Sequence, residues 1–217
     1  MSAAVYVFDA YGTLFDVHAA IGRYRDAIGP QADRLSEMWR IKQLEYTWTV
    51  SLMGRFRDFR DLTAAALDVA AAGLGGLPDG LRPKLLAAYE ELDAYPDVAP
   101  TLRALRAKGA KTAILSNGTD AMLKNATRAA GLDDLLDAVI SIESMRIFKP
   151  NAAAYEPVGQ RFGTTPGEVS FQSSNRWDIA GAKAFGFHTT WINRTGKPDE
   201  YLDLPPDRVV GSLNELL

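Results

Sequence analysis

Short apolar runs recur along the chain, each closed by a polar or glycine-containing turn: residues 5–8, 112–115, 169–171 and 189–192, and more weakly Val139-Ile140. Apolar and β-branched runs of this length predict buried strands. Between them, residues 101–107, 122–130, 152–162 and 179–185 carry apolar positions at helical spacing. Strand alternating with helix predicts an α/β chain with a doubly wound, Rossmann-like parallel sheet. Ligand sites of such sheets gather at the carboxyl ends of the strands.

Residues 16–97 break that rhythm. They offer helical stretches at 35–53, 59–72 and 81–92 and no convincing strand. The glycine-rich stretch from Gly73 to Gly80 separates two of these, and it lacks the Gly-Lys-Ser/Thr ending of a phosphate loop, so it is a connector. The alanine-rich stretch before it keeps Leu67 and Val69 among good helix formers, which suits tight helix packing. The predicted organisation is a Rossmann-like core from residues 1–15 and 98–217, with an all-helical cap domain inserted as residues 16–97.

Composition narrows the function classes. With 217 residues and 47% hydrophobic content, the chain can bury a sizeable core. Its formal charge of −3, without a Lys/Arg block, argues against nucleic acid. No apolar run is long enough to span a bilayer, so no membrane role is expected. The absence of cysteine removes disulfides, thiolate metal sites and a cysteine nucleophile, and the cytoplasm is the default location.

Four polar groups fall at or just after predicted strand ends: Asp9, Ser116-Asn117-Gly118, Lys149-Pro150, and the segment from Ser173 to Asp178. Each has a plain reading alone. Asp9 could form a turn, Lys149 could be a surface lysine, and Asp178 could be an acid favoured at a helix N-terminus. Asn-Gly is a hairpin signal, but the helix-forming residues 120–126 that follow favour a strand-to-helix turn. Their convergence on one end of one sheet makes them a candidate site.

In this order the four groups resemble the haloacid dehalogenase-like hydrolase superfamily. The stretches from Trp39 to Trp48, from Ile114 to Gly118, and from Ser173 through Ala182 are similar to its L-2-haloacid dehalogenase branch. The resemblance implies that Asp9 attacks the halogen-bearing carbon of a small 2-haloalkanoic acid, releases halide, and forms an ester that water then cleaves. A carboxylate nucleophile suits this division of one hard hydrolysis into two steps. Because the substrate is an anion, bringing it to about 4 Å from Asp9 costs about 4 kcal/mol at an effective dielectric near 20, which cations and oriented donors must offset.

By the same resemblance, Lys149 stands beside Asp9, while Ser116 and the N–H groups of Ala10 and Tyr11 receive the substrate carboxylate. Arg40 and Asn117 hold the halide. Tyr11, Leu44, Phe59 and Trp177 surround the nonpolar part. Ser173, Asn175 and Asp178 position water and hold the Lys149 ammonium, with Tyr155 in support. No metal and no cofactor is implied: phosphate-transferring relatives carry an acid where Tyr11 stands, and often another where this chain has Asn175, and a hard cation needs such oxygen anions. The resemblance also implies a homodimer. Ile41 and Gln172 depart from the branch's usual residues, which predicts a changed pocket polarity. His18 and His188 take no part. The competing readings are a phosphatase of the same superfamily and a noncatalytic small-acid binding protein.

Overall fold

The computed structural model describes residues 5–217. Six parallel strands form one sheet: β1 (Val5–Phe8), β2 (Lys111–Ser116), β3 (Ala138–Ser141), β4 (Val169–Ser173), β5 (His188–Ile192) and β6 (Arg208–Val210), in the order β3-β2-β1-β4-β5-β6. The chain winds outward from β1 to β3, returns to β4, and winds outward the other way. Between β1 and β4 the direction reverses, and a crevice opens there beyond the carboxyl ends of the strands. The central position of β1 accounts for its apolar run, since Val7 and Phe8 are wholly buried.

The helices are α1 (Ala19–Gly22), α2 (Arg25–Ile28), α3 (Ala32–Leu52), α4 (Phe59–Ala72), α5 (Leu81–Glu90), α6 (Val98–Ala107), α7 (Asp120–Ala129), α8 (Glu156–Phe162) and α9 (Arg176–Phe185). In α6, Val98, Thr101, Leu102 and Leu105 are buried, the spacing of one helix face. Thr119 caps α7 by accepting the Met122 N–H at 3.2 Å. The single helix expected over 152–162 is instead a 3₁₀ turn, Ala152–Ala154, followed by α8. Pro157 explains the break: it has no N–H to continue the earlier turn and suits the first turn of a new helix.

Residues 16–97 contain helices and no strand among the described residues. The buried face of α3 includes Leu35, Trp39, Gln43, Thr47 and Val50, and α4 is the neighbour it packs against most. The segment leaves and rejoins the sheet side by side, with the Asp16 N–H donating to Asp93 O and the Tyr95 N–H to Leu14 O, both at 2.9 Å. The Arg194 guanidinium ties the two crossings together by donating to Asp97 at 2.7 and 3.0 Å and to Thr13 O at 3.1 Å. No helix of the described residues is long and apolar enough to cross a membrane.

Candidate functional site

The chain after β1 folds back sharply, with the N–H groups of Thr13, Leu14 and Phe15 all donating to Ala10 O. Gly12 sits within this turn at φ 93°, a backbone conformation open to glycine and strained for other residues. The turn presents the Asp9 carboxylate to the crevice. Neither the Ala10 nor the Tyr11 N–H has an acceptor among the described residues, so two backbone donors stand beside the carboxylate available to an anion.

Both Asp9 oxygens are held. Lys149 Nζ donates to Oδ1 at 3.0 Å, while Asn175 Nδ2 at 2.8 Å and the Thr13 hydroxyl at 3.1 Å donate to Oδ2. Lys149 is only 1% exposed and spends its three donors on Asp9, Asp178 Oδ2 at 2.9 Å and Leu115 O at 2.9 Å. The expectation that Ser173 and Asn175 hold this ammonium is thereby corrected. The Ser173 hydroxyl oxygen accepts the Asn175 N–H at 3.1 Å, and the Asn175 amide turns to Asp9 and to Tyr11 O instead. The Leu115 carbonyl, at the end of β2, satisfies the third donor.

Two buried carboxylates therefore share one ammonium. Burial works against the charge on Lys149, and the attraction of Asp178 and Asp9 outweighs it, so the pKa of Lys149 is raised and it stays an ammonium. Asp178 is fully buried, and its pKa is raised to about 6: burial pushes it up, Lys149 pulls it back, and the Asp9 charge adds to the rise. The Tyr155 hydroxyl donates to Asp178 Oδ1 at 2.8 Å. Burial, and then the charge of Asp178, hold that phenol well above its ordinary range, so it remains a donor.

Across the crevice, Arg40 reaches down from α3. It donates to Tyr11 O at 3.1 Å, to Asn175 Oδ1 at 3.2 Å and to Gln43 Oε1 at 2.8 Å. Leu44 and Trp48 follow it at four-residue spacing, so all three share one face of α3. Ser116 is wholly buried with its oxygen accepting the Gly118 N–H at 3.1 Å. Asn117 Oδ1 accepts the Lys149 N–H at 3.0 Å, leaving Nδ2 without an acceptor among the described residues. That bond fixes Lys149 to the β2 end.

The apolar candidates divide. Tyr11 and Phe59 are buried ring against ring, with centroids 5.3 Å apart, and Tyr89 stacks on Tyr11 at 5.6 Å. Gly118 is required by their packing, because a Cβ there would lie 2.7 Å from Tyr11 Cε2. Trp177 is half-buried and meets Trp48 edge to face at 5.5 Å, and Leu44 is half-buried. Ile41 is 58% exposed on α3, next to Arg40 in the chain. Gln172 is buried in β4 with its amide donating to the Ser170 hydroxyl, within the sheet rather than in the crevice. A cleft of about 410 Å³ lies beside Trp48, Phe148, Pro150 and Trp177. Another cleft, of about 540 Å³, lies between Arg60, Glu90, Met122 and Asn125 and is lined in part by Thr63 and Tyr89.

The sequence reading missed Thr13, which links Asp9 Oδ2 to the Ser174 N–H at 2.8 Å and so joins the β1 turn to the β4 end. It also missed Gln43, which accepts from Arg40, and Thr63 and Tyr89, which bond to Gln43. A hydroxyl four residues after the carboxylate was the one available signal for Thr13.

Known proteins resemble this chain along nearly its whole length. The sequence model of the haloacid dehalogenase-like hydrolases matches residues 3–186. The chain is 50% identical over 211 residues to (S)-2-haloacid dehalogenase 1 of Pseudomonas sp. (strain CBS-3), covering 97% of this chain and 93% of that one. It is 49% identical over 212 residues to (S)-2-haloacid dehalogenase 4A of Burkholderia cepacia, covering 97% and 91%. Among solved structures, the L-2-haloacid dehalogenase of Xanthobacter autotrophicus with chloropropionic acid covalently bound superposes with a TM-score of 0.91 at 38% identity, covering 99% of this chain and 96% of that one. With half of its residues shared along nearly its whole length, the chain belongs to the haloacid dehalogenase-like hydrolases, in the (S)-2-haloacid dehalogenase branch.

Proposed function

We propose that the protein hydrolyses short L-2-haloalkanoates to D-2-hydroxyalkanoates and halide, with inversion at the attacked carbon, through an ester on Asp9. The observation that carries this reading is a buried carboxylate with both oxygens held by Lys149, Asn175 and Thr13. Among the described residues, two backbone N–H groups beside it have no acceptor, and the guanidinium that faces it has no carboxylate partner.

The substrate carboxylate takes the N–H groups of Ala10 and Tyr11 and the Ser116 hydroxyl. This fixes the carbon–halogen bond in line with Asp9. Attack forms the carbon–oxygen bond of the ester as the carbon–halogen pair leaves with the halide, toward Arg40 and Asn117 Nδ2. Tyr11, Leu44, Phe59 and Trp177 keep water away during displacement. Water then adds to the ester carbonyl of Asp9 as Asp178 takes its proton, with Ser173 and Asn175 aligning it and Tyr155 holding Asp178. Collapse breaks the carbonyl–alkoxide bond, the alkoxide takes the proton held by Asp178, and the second water proton is lost to solvent, which returns Asp9 as a carboxylate.

In this reading no metal takes part. Lys149 Nζ stands between Asp9 and Asp178 at 3.0 and 2.9 Å, where it neutralises the charge a cation would otherwise meet. Residues 16–97 serve as a cap domain over the core of residues 1–15 and 98–217. The protein acts as a homodimer, consistent with Leu52 and Met53 being 87% and 61% exposed at the end of α3. It acts in the cytoplasm, consistent with a chain free of cysteine.

A single turnover of L-2-chloropropionate with excess enzyme in ¹⁸O-water tests the nucleophile. Attack by Asp9 gives unlabelled hydroxy acid and label in the peptide containing Asp9. Labelled product in the first turnover, with Asp9 unlabelled, would mean that Asp9 serves as a general base.

A further inference from the structure

Arg40 is held by an unusual set of partners. An arginine this close to buried carboxylates ordinarily pairs with one, yet Arg40 forms no ion pair among the described residues. Its acceptors are an amide oxygen of Gln43, an amide oxygen of Asn175 and the Tyr11 carbonyl, all of them neutral. Gln43 is itself 1% exposed. Its orientation is dictated by its neighbours: a guanidinium can only donate, so Oε1 must face Arg40 and Nε2 must face the other way. There Nε2 donates to the Thr63 hydroxyl at 2.7 Å, and that hydroxyl donates on to Phe59 O at 2.6 Å. The Tyr89 hydroxyl lies 3.1 Å from both Oε1 and Nε2, donating to the one or accepting from the other, while its ring stacks on Tyr11.

One amide thus connects α3, α4 and α5 to the guanidinium. The space enclosed by Val17, Trp39, Arg40, Gln43 and Tyr89 has no room for a water molecule beside the amide. A glutamate would fit the same space and bind arginine more strongly, but it would cancel the charge that a departing anion needs.

We propose that Gln43 is a positioning residue for dehalogenation: a neutral mount, braced by Thr63 and Tyr89, that fixes the Arg40 guanidinium toward the leaving halide while leaving its charge uncompensated. The proposal rests on the dehalogenase reading and on Arg40 receiving the halide. Gln43 acts only through Arg40, so its replacement lowers kcat and weakens inhibition by the product halide while leaving KM for the acid nearly unchanged.

The test compares Arg40→Ala, Gln43→Leu and Gln43→Glu with the unaltered enzyme on L-2-chloropropionate. It measures kcat, KM and inhibition by sodium bromide at fixed ionic strength, with folding checked by circular dichroism. Gln43→Leu should lower kcat on the order of 100-fold, the loss typical of a misplaced reacting or stabilising group. The near-isosteric Gln43→Glu, which keeps Arg40 anchored but neutralised, should lower kcat at least as far and weaken bromide inhibition further. If Gln43→Leu does not fold, Gln43→Glu decides alone. A folded Gln43→Glu enzyme with unaltered kcat and bromide inhibition would overturn the neutral mount. An Arg40→Ala enzyme as active as the unaltered one would overturn the halide assignment beneath it, and loss of activity in Arg40→Ala alone would overturn only the role of Gln43.

Discussion

Lowering the pH should separate the two chemical steps at Asp178. Its carboxyl is fully buried and raised to about 6, against 3.8 for an ordinary aspartate, because burial outweighs the pull of Lys149. At pH 8 nearly all of it is carboxylate and able to take a proton from water. At pH 5 only about a tenth is, in the free enzyme; in the ester the Asp9 charge that adds to the rise is gone, so a larger share is ionised and hydrolysis of the ester should slow by less than about tenfold. An ordinary carboxylate would still be about nine-tenths ionised there. Formation of the ester needs no proton transfer to Asp178, so the ester should accumulate. Rapid quenching at pH 8 and pH 5, followed by mass spectrometry of the peptide containing Asp9, reads the amount directly. The same shift bears on the fold. Between pH 3.8 and 6 the folded protein binds more protons at Asp178 than the unfolded chain does, so this group's contribution to stability falls as pH rises through that window, by about 3 kcal/mol. Asp178→Asn should therefore trap the ester and remove this part of the pH dependence of unfolding. An Asp178→Asn enzyme that folds and hydrolyses its ester as fast as the unaltered one would refute the assignment of Asp178 as the base.

Lys149→Met leaves Asp9 and Asp178 buried without their shared cation, so it should abolish turnover and destabilise the protein by about 3–5 kcal/mol at pH 8. Chemical denaturation should find the loss smaller at pH 5, where Asp178 takes up a proton, and an equal loss at both would contradict the shared-ammonium account. Gly118→Ala drives a Cβ to 2.7 Å from the Tyr11 ring and should cost about 1–3 kcal/mol of stability together with a loss of kcat/KM; unchanged thermal melting and kinetics would mean that Tyr11 moves aside freely. Exhaustive EDTA treatment should leave chloride release from L-2-chloropropionate intact and reveal no phosphatase activity, whereas activity lost on chelation and restored by Mg²⁺ would return the phosphatase reading.

What was legible in the sequence follows the range of the forces involved. The strands β1, β2, β4 and β5 announced themselves because both of their faces are buried, which forces continuous apolar runs. The edge strand β6 did not, since two of its three residues are exposed and only Val210 is buried. The four-residue helices α1 and α2 are too short to establish a period. In the site, Asp9, Lys149 and Asp178 could be found because each stands in a distinctive local string at or within eight residues of a strand end, and the sheet brings all such ends together.

Thr13 and Gln43 were illegible for the opposite reason. Each looks like an ordinary turn or helix residue, and its meaning lies in a partner from another part of the chain: Ser174 for Thr13, and Thr63 and Tyr89 for Gln43. Charged groups must be placed near the chemistry, and they leave a mark in the sequence because a buried charge is rare. The neutral groups that aim them leave none, because a buried amide or hydroxyl needs only one matching donor or acceptor, and any of several residues at many distances along the chain can supply it. A change in such a mount would thus alter the rate of halide departure while every recognisable motif stayed in place.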